Sequence, residues 1–434
     1  MARVFVEVFG CSANVADAEI ISGLLIEEGH VLVDSPANSE LTVVLTCTVK
    51  TPTEIKMVKR IKQLSRFNAS LVVAGCMPKA ERRIVKKAAP KASLMGPNDI
   101  LTISEIVEKT VQGEQLERLQ DEPADRTGLP RVRKNPIIHI APIASGCLGN
   151  CSYCIVKHAR GHLYSYNLNS IIDDVKQALS EGCKEIWITA EDTAAYRYGV
   201  QRLPDLLKKI TSLKGQFYVR VGMMTPNQAS EVLEELLEEY KSDKIFKFLH
   251  LPVQSGNDDI LKKMKRRYTI KDFQQIVIRS RELIPELSIS TDIICGFPGE
   301  TEEQFKNSLK LINNIQPDVL NISRFWPRPC TDASEMNNKL HGREIKRRSR
   351  IITELWKSLS YEKCVNWLEW RGKVLIDECL PEGKVIGRNF AYKPIVLKAN
   401  IELGKVLDVK ITEAKTGYLI GELTKLTSYP SWKP

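Results

Sequence analysis

The sequence predicts an α/β protein in three parts: a doubly wound amino-terminal domain, an open barrel of six strand–helix units, and a small antiparallel β-barrel at the carboxyl end. Three observations carry that reading. Apolar runs alternate with amphipathic helical stretches through most of the chain, and such alternation implies parallel sheets. It is interrupted over 112–135 by a segment rich in charge, Pro and Gly, which reads as an exposed linker. Beyond the helical stretch Arg343–Glu369 the apolar period falls to two. The expected boundaries are therefore 1–112, a linker at 113–135, 136–366 and 367–434.

In the first part, strands are expected at Val4–Phe9, Leu41–Leu45 and Leu71–Ala74, with helices near Val15–Glu28, Glu54–Leu64 and Lys79–Lys87. Cys11, Cys47 and Cys76 each fall just beyond the carboxyl end of a strand, the edge where open α/β sheets bind ligands. Buried cysteines also pack as small hydrophobes. Three at three strand ends, in a domain with no other cysteine, point instead to an iron–sulfur cluster with one iron left open. Lys56, Lys59 and Arg60 read as a solvated helix face.

The second part opens on the stretch around which the chain is organised, Gly146–Cys154. Its Cys147, Cys151 and Cys154 follow a Cys-x3-Cys-x2-Cys spacing. Three thiolates can hold three irons of a cubic cluster and leave the fourth free to bind a small molecule. The alternative, a structural zinc, wants four ligands, and no second Cys-x2-Cys pair follows. Six strands are expected, at Ile137–Ser145, Glu185–Thr189, Phe217–Val221, Phe246–Leu251, Leu287–Cys295 and Val319–Arg324. Their carboxyl ends form the rim where α/β barrels place their sites. That rim carries Glu191, Gln254, Ser255 and Gly296 within polar and glycine motifs. Glu191 or Gln254 is suited to bond an ammonium or a ribose hydroxyl, and glycine admits a ligand close to the backbone. His250 reads as a satisfied strand-end histidine. Basic runs at Lys262–Arg267 and Lys346–Arg350, and the Lys157–Arg160 string, are either solvated faces or phosphate contacts.

The third part is expected to hold strands at Val374–Ile376, Ile395–Leu397, Val406–Ile411 and Tyr418–Leu423. Small barrels of this kind often bind oligonucleotides. The alternative is a structural cap on the larger barrel.

Composition bounds the partners. At 434 residues, 43% apolar and 27% charged, the chain is an ordinary soluble protein with room for two or three cores. No apolar run reaches membrane-spanning length, and Met1–Gly10 alternates like a strand instead of carrying a signal's apolar centre. A cytoplasmic protein without a membrane partner is expected. Eleven cysteines in such a chain argue for metal ligands over disulfides. A net charge of +10 hints at a polyanionic partner.

The cysteine spacing resembles that of the radical S-adenosylmethionine (SAM) enzymes, in which the aromatic residue before the last cysteine, here Tyr153, faces the SAM adenine. The whole chain resembles the methylthiotransferases, which join an amino-terminal cysteine domain, a SAM barrel and an OB-like TRAM domain. Cys47-Thr48-Val49-Lys50, Gly75-Cys76-Met77-Pro78, Lys157-His158-Ala159-Arg160-Gly161, Glu191-Asp192-Thr193 and Thr291–Thr301 look like the archaeal and eukaryotic branch. That branch acts on N6-threonylcarbamoyladenosine next to the tRNA anticodon. Cys330 departs from it, standing where the branch usually has glycine.

The resemblance implies two 4Fe-4S clusters, one on Cys147, Cys151 and Cys154 and an auxiliary one on Cys11, Cys47 and Cys76. It also implies SAM, tRNA, a ferredoxin- or flavodoxin-like electron donor and a sulfur source, and a monomer is expected. A splayed-out base is expected to enter a cleft between the two cluster domains. The alternatives are a methylthiotransferase for isopentenyladenosine in tRNA or for a ribosomal protein, and an RNA-binding iron–sulfur protein that catalyses nothing.

Overall fold

Runs of β-branched and other apolar residues with no polar alternation need cover on both faces, and Leu41–Thr46 is buried along its whole length. The computed structural model describes residues 1–48, 51–67 and 70–424, with the side chains of Thr51 and Pro52 left aside. Val49 and Lys50 of the quoted cysteine string lie outside the described residues, as do 425–434 of the expected third part.

The amino-terminal sheet is six-stranded and parallel, in the order Val31–Leu32, Arg3–Val8, Leu41–Thr46, Ser70–Gly75, Ser93–Met95, Glu117–Arg118. Separate apolar clusters fill its two faces, one around Ile20, Ile21 and Ile103, the other around Ile61, Met77 and Val85. The helix expected over Lys79–Lys87 is two helices, Cys76–Ala80 and Arg82–Ala88. They break at Glu81, whose buried carboxylate lies 3.7 Å from Arg328 of the barrel.

Segment 112–135 is not an exposed linker. Glu117–Arg118 completes the sheet, and Arg126 is 1% exposed. Composition misled here because the groups that draw these arginines inward are distant in sequence. Asp17 pairs with Arg126 at 2.7 Å and Asp174 with Arg131 at 3.3 Å.

The six barrel strands form an open arc of two parallel sheets. Ile138–Pro142, Glu185–Thr189 and Tyr218–Val221 make one, Phe248–His250, Ser288–Cys295 and Val319–Arg324 the other. Backbone bonds from Val219 N to Lys244 O (2.7 Å) and from Phe246 N to Val219 O (3.0 Å) join them. The largest apolar core lies between these strands and their helices, with Ile171, Leu206 and Phe273 within it.

Helix Gly342–Val365 leads to a closed five-stranded barrel made of Arg371–Leu380, Lys384–Arg388, Pro394–Lys398, Val406–Lys415 and Tyr418–Leu423. The strand Lys384–Arg388 is absent from the sequence-based reading because Gly383, Lys384 and Gly387 interrupt its short apolar run. The barrel docks on the arc through Leu375, packed with Tyr218, Phe246 and Phe248. Lys393 Nζ reaches Asp318 at 2.6 Å beside that contact. Among the described residues, no helix is long and apolar enough to cross a membrane.

Candidate metal and cofactor centre

The loop Cys147–Cys154 leaves the first barrel strand at a position only glycine can hold. Gly146 has φ +77°, and a Cβ there would lie 2.1 Å from the His162 carbonyl oxygen. The far side is tied by Ser152, whose amide donates to Met264 O (3.1 Å) and whose hydroxyl donates to Lys263 O (2.8 Å). Gly149 N donates to Cys147 Sγ at 3.2 Å. A Cβ on Gly149 would stand 3.3 Å from Cys147 Sγ and 3.7 Å from Cys151 Sγ, so glycine leaves space between those thiols.

All three thiols line one cavity of about 490 Å³, with Lys157, His158 and Cys330 at its wall. Among the described residues, no three His, Cys, Asp or Glu side chains are grouped to hold a single metal ion. Three thiols around an open space suit a multi-iron cube, whose ligands stand wider apart than those of one ion. Burial pushes Cys147 up to about 12 and Cys154 up to about 11, the other thiols of the loop adding to the rise. These thiols are therefore neutral until a metal displaces their protons.

Arg266, inside the run expected to be solvated or on phosphate, turns inward. Its Nη1 donates to Cys151 Sγ at 3.3 Å, its Nη2 to Pro252 O at 3.0 Å and its Nε to the Tyr268 hydroxyl at 2.9 Å. Arg348, in the second basic run, is also buried, bonded to Glu300 and Glu344. Tyr153 is half-buried and packs on the cluster formed by Ile260, Met264, Phe297 and Phe325.

On the amino-terminal sheet, Cys11 precedes helix Ser12–Glu27, Cys47 follows strand Leu41–Thr46, and Cys76 opens helix Cys76–Ala80. Gly10, at φ +118°, presses the first loop on the second; a Cβ there would lie 2.7 Å from Cys47 Cβ and 3.3 Å from its sulfur. Gly75, at φ +88°, would put a Cβ 2.6 Å from Thr46 O. Burial pushes the Cys76 thiol up to about 12, Arg160 pulls it down, and the Cys11 and Cys47 thiols push it further up. The three sulfurs thus lie within electrostatic reach of one another. Beside Cys47, the buried Thr48 hydroxyl has no hydrogen-bond partner among the described residues.

Between the two thiol groups stands Arg160, on helix Val156–Arg160, which packs against helix Cys76–Ala80. It is 3% exposed. Nη2 donates to Asp17 Oδ2 (2.8 Å) and Asn14 Oδ1 (3.0 Å), while Nε lies 3.2 Å from Glu191 Oε1. Asp17 is shared with Arg126, and although burial alone would raise its carboxyl, the two guanidinium groups hold it below the usual range. Ser12 and Thr189 share a 2.8 Å hydrogen bond, and Arg328 reaches Glu54. The cysteine edge of the first domain is thereby seated on the barrel rim. The cavity at the loop is not lined by Cys11, Cys47 or Cys76. The expected shared cleft is thus not the described cavity; Arg160, six residues past Cys154, ties the barrel side to the first domain there instead.

The rim residues divide. Glu191 is half-buried, its Oε2 out of solvent and unpartnered among the described residues, and burial raises its carboxyl against the pull of Arg160. Gln254 adopts φ +73°, its amide donating to Asp292 O and its carbonyl accepting from Ile294 N. Ser255 is 1% exposed, its hydroxyl accepting from Asn257 N at 3.3 Å. Gly296 donates to Glu300 Oε2 at 3.0 Å, and a Cβ there would meet Ile345 at 2.6 Å. Ser255 and Gly296 thus each make an internal contact, whereas Glu191 has one oxygen unpartnered among the described residues. His250 pairs with Asp292 at 3.0 Å, as a satisfied histidine does. Asn14, Asp17 and Arg266 escaped the sequence-based reading; they have ordinary helical or basic-run settings, and only their three-dimensional partners mark them.

Three family models match the chain: Radical SAM superfamily over residues 142–312, Uncharacterized protein family UPF0004 over 3–96, and TRAM domain over 373–424. The chain is 40% identical to a probable threonylcarbamoyladenosine tRNA methylthiotransferase of Pyrococcus horikoshii, over 98% of this chain and 100% of that one. It is 36% identical to the threonylcarbamoyladenosine tRNA methylthiotransferase of Xenopus laevis, over 97% of this chain and 77% of that one. Among solved structures it is similar in fold to the radical S-adenosylmethionine methyltransferase TsrM of Kitasatospora setae, with a TM-score of 0.58. Their identity is 14%, and the match covers 76% of this chain and 75% of the other.

Proposed function

The chain belongs to the threonylcarbamoyladenosine tRNA methylthiotransferase family, and from that membership we infer the reaction its residues serve. It is a radical SAM enzyme that adds a methylthio group to carbon 2 of N6-threonylcarbamoyladenosine next to the tRNA anticodon, at position 37. The observation that carries the assignment of residues is that helix Cys76–Ala80, opened by a cysteine of the first triad, packs against helix Val156–Arg160, which follows the loop of the second, across a domain contact.

Cys147, Cys151 and Cys154 would hold one 4Fe-4S cluster, and Cys11, Cys47 and Cys76 the other. When bound, these groups supply the electron that opens SAM and the sulfur that reaches the base. The chain's own residues bind, orient and insulate. Arg266 fixes the Cys151 side chain and places a permanent positive charge beside it. Ser152 and Gly146 hold the loop so that its thiols face one cavity. The free oxygen of Glu191 is a buried acceptor for a hydroxyl or ammonium of SAM. Tyr153 presents an aromatic face on a packed apolar bed, suited to an adenine. The five-stranded barrel, matched by the TRAM model, is an RNA-holding surface for the tRNA. A ferredoxin- or flavodoxin-like donor and a sulfur source complete the reaction, carried out by a monomer in the cytoplasm.

Reconstituted protein should carry about eight irons, two cubes' worth. Cys151→Ala should abolish SAM cleavage, while Cys47→Ala should spare cleavage and stop thiolation. About four irons in the unaltered protein, or loss of cleavage in both variants, would refute the division of labour.

A further inference from the structure

Both thiol triads meet a guanidinium, but the two arginines stand differently. Arg266 serves a thiol of its own domain. Arg160 arises six positions after Cys154, yet its partners Asp17 and Asn14 belong to the other domain. Asn14 Oδ1 accepts from Arg160 at 3.0 Å and lies 4.0 Å from Cys76 Sγ, so one amide oxygen holds guanidinium and thiol against each other. We propose that Arg160 is a positioning residue that sets the reduction potential of the group on Cys11, Cys47 and Cys76 from across the domain contact. The inference rests on the reading that this triad holds a 4Fe-4S cluster.

A guanidinium does not lose its proton in a protein, so the charge at this place is permanent. At 3% exposure little solvent screens it. Reduction of the cluster by one electron makes and breaks no bond; it adds one negative charge that spreads over the sulfurs. A cation and hydrogen-bond donor beside one of those sulfurs favours the reduced state and raises the potential. Asp17, bonded to the same guanidinium at 2.8 Å, works the other way. Closure of the two domains thereby becomes part of the cluster's electronics. An amino-terminal domain that has parted from the barrel holds its electron less readily.

The test uses the full chain with Cys147→Ala, Cys151→Ala and Cys154→Ala, reconstituted anaerobically with iron and sulfide so that only the amino-terminal triad can load. Iron content and the electron paramagnetic resonance signal after dithionite reduction are read first. The midpoint potential then follows by titration, with dithionite as the electron source, for Arg160→Gln, Arg160→Lys and Asp17→Asn. About four irons are expected in the parent. The midpoint should fall in Arg160→Gln, fall less in Arg160→Lys and rise in Asp17→Asn. General loosening of the contact would move all three the same way, and that result, or an unchanged midpoint with iron bound, overturns the role of Arg160. If Arg160→Gln fails to load, the lysine and asparagine variants decide by the opposite signs required of them. A parent without iron removes the cluster reading itself, and the inference with it.

Discussion

Two single positions show how backbone geometry is spent near the thiols. Cys330 sits at φ +59° on the wall of the loop cavity, a left-handed conformation that costs a residue with a Cβ about 1 kcal/mol. Cys330→Gly should therefore raise the melting temperature slightly, leaving iron content unchanged; a loss of iron would show that this thiol helps hold the metal. Gly75 is the reverse case. Its φ of +88° and the 2.6 Å approach of Thr46 O leave no room for a methyl group. Gly75→Ala should displace Cys76 and cut iron from about eight to about four per chain while SAM cleavage persists. An iron assay beside a cleavage assay checks both halves.

At the scale of elements, the break between helices Cys76–Ala80 and Arg82–Ala88 carries a pH dependence. Burial, with Glu54 nearby, pushes the Glu81 carboxyl up to about 7 from its ordinary 4.5, against the pull of Arg328. An acid raised by folding keeps its proton where the unfolded chain has lost it. Stability is thus penalised progressively as pH rises from 4.5 toward 7, and the penalty stays in force above that. Glu81→Gln should raise the melting temperature at pH 8 and leave it unaltered near pH 4. Equal gains at both pH values would contradict this account. The same break marks how far the sequence could be read. The strand Glu185–Thr189 falls where its apolar run places it, because burial on both faces leaves a local signature, and Val319–Arg324 likewise keeps its expected bounds. The helix break, the buried Arg126 and the inward turn of Arg266 depend on carboxylates, carbonyls and thiols far along the chain, which periodicity does not register. The cysteine triads were legible for the opposite reason: their spacing and their places after strands are local. Arg160, which links them, looked like any member of a basic string.

For the molecule as a whole, the carboxyl-terminal barrel is part of the protein's core and not a detachable bead. Tyr218, Phe246 and Phe248 of the arc pack on Leu375 and Tyr392 of the barrel. Asp318 is bonded by both Lys393, at 2.6 Å, and Lys363, at 3.0 Å. A chain ended at residue 366 should expose that aromatic face and aggregate, as size-exclusion chromatography would reveal. Asp318→Asn should destabilise the full protein by about 3 kcal/mol in chemical denaturation, because two cations lose their shared buried partner.

The burial of Asp17 under two arginines also bears on how the protein is made. During synthesis its segment leaves the ribosome well ahead of Arg126 and Arg160, the cations that neutralise it. Until residue 160 has emerged, a nascent amino-terminal half carries an uncompensated carboxylate beside three thiols whose neighbouring helix Val156–Arg160 has yet to arrive. Maturation of that half is thereby tied to translation of the next, and a premature stop at residue 112 leaves a product with its cysteine edge open to water and oxidants.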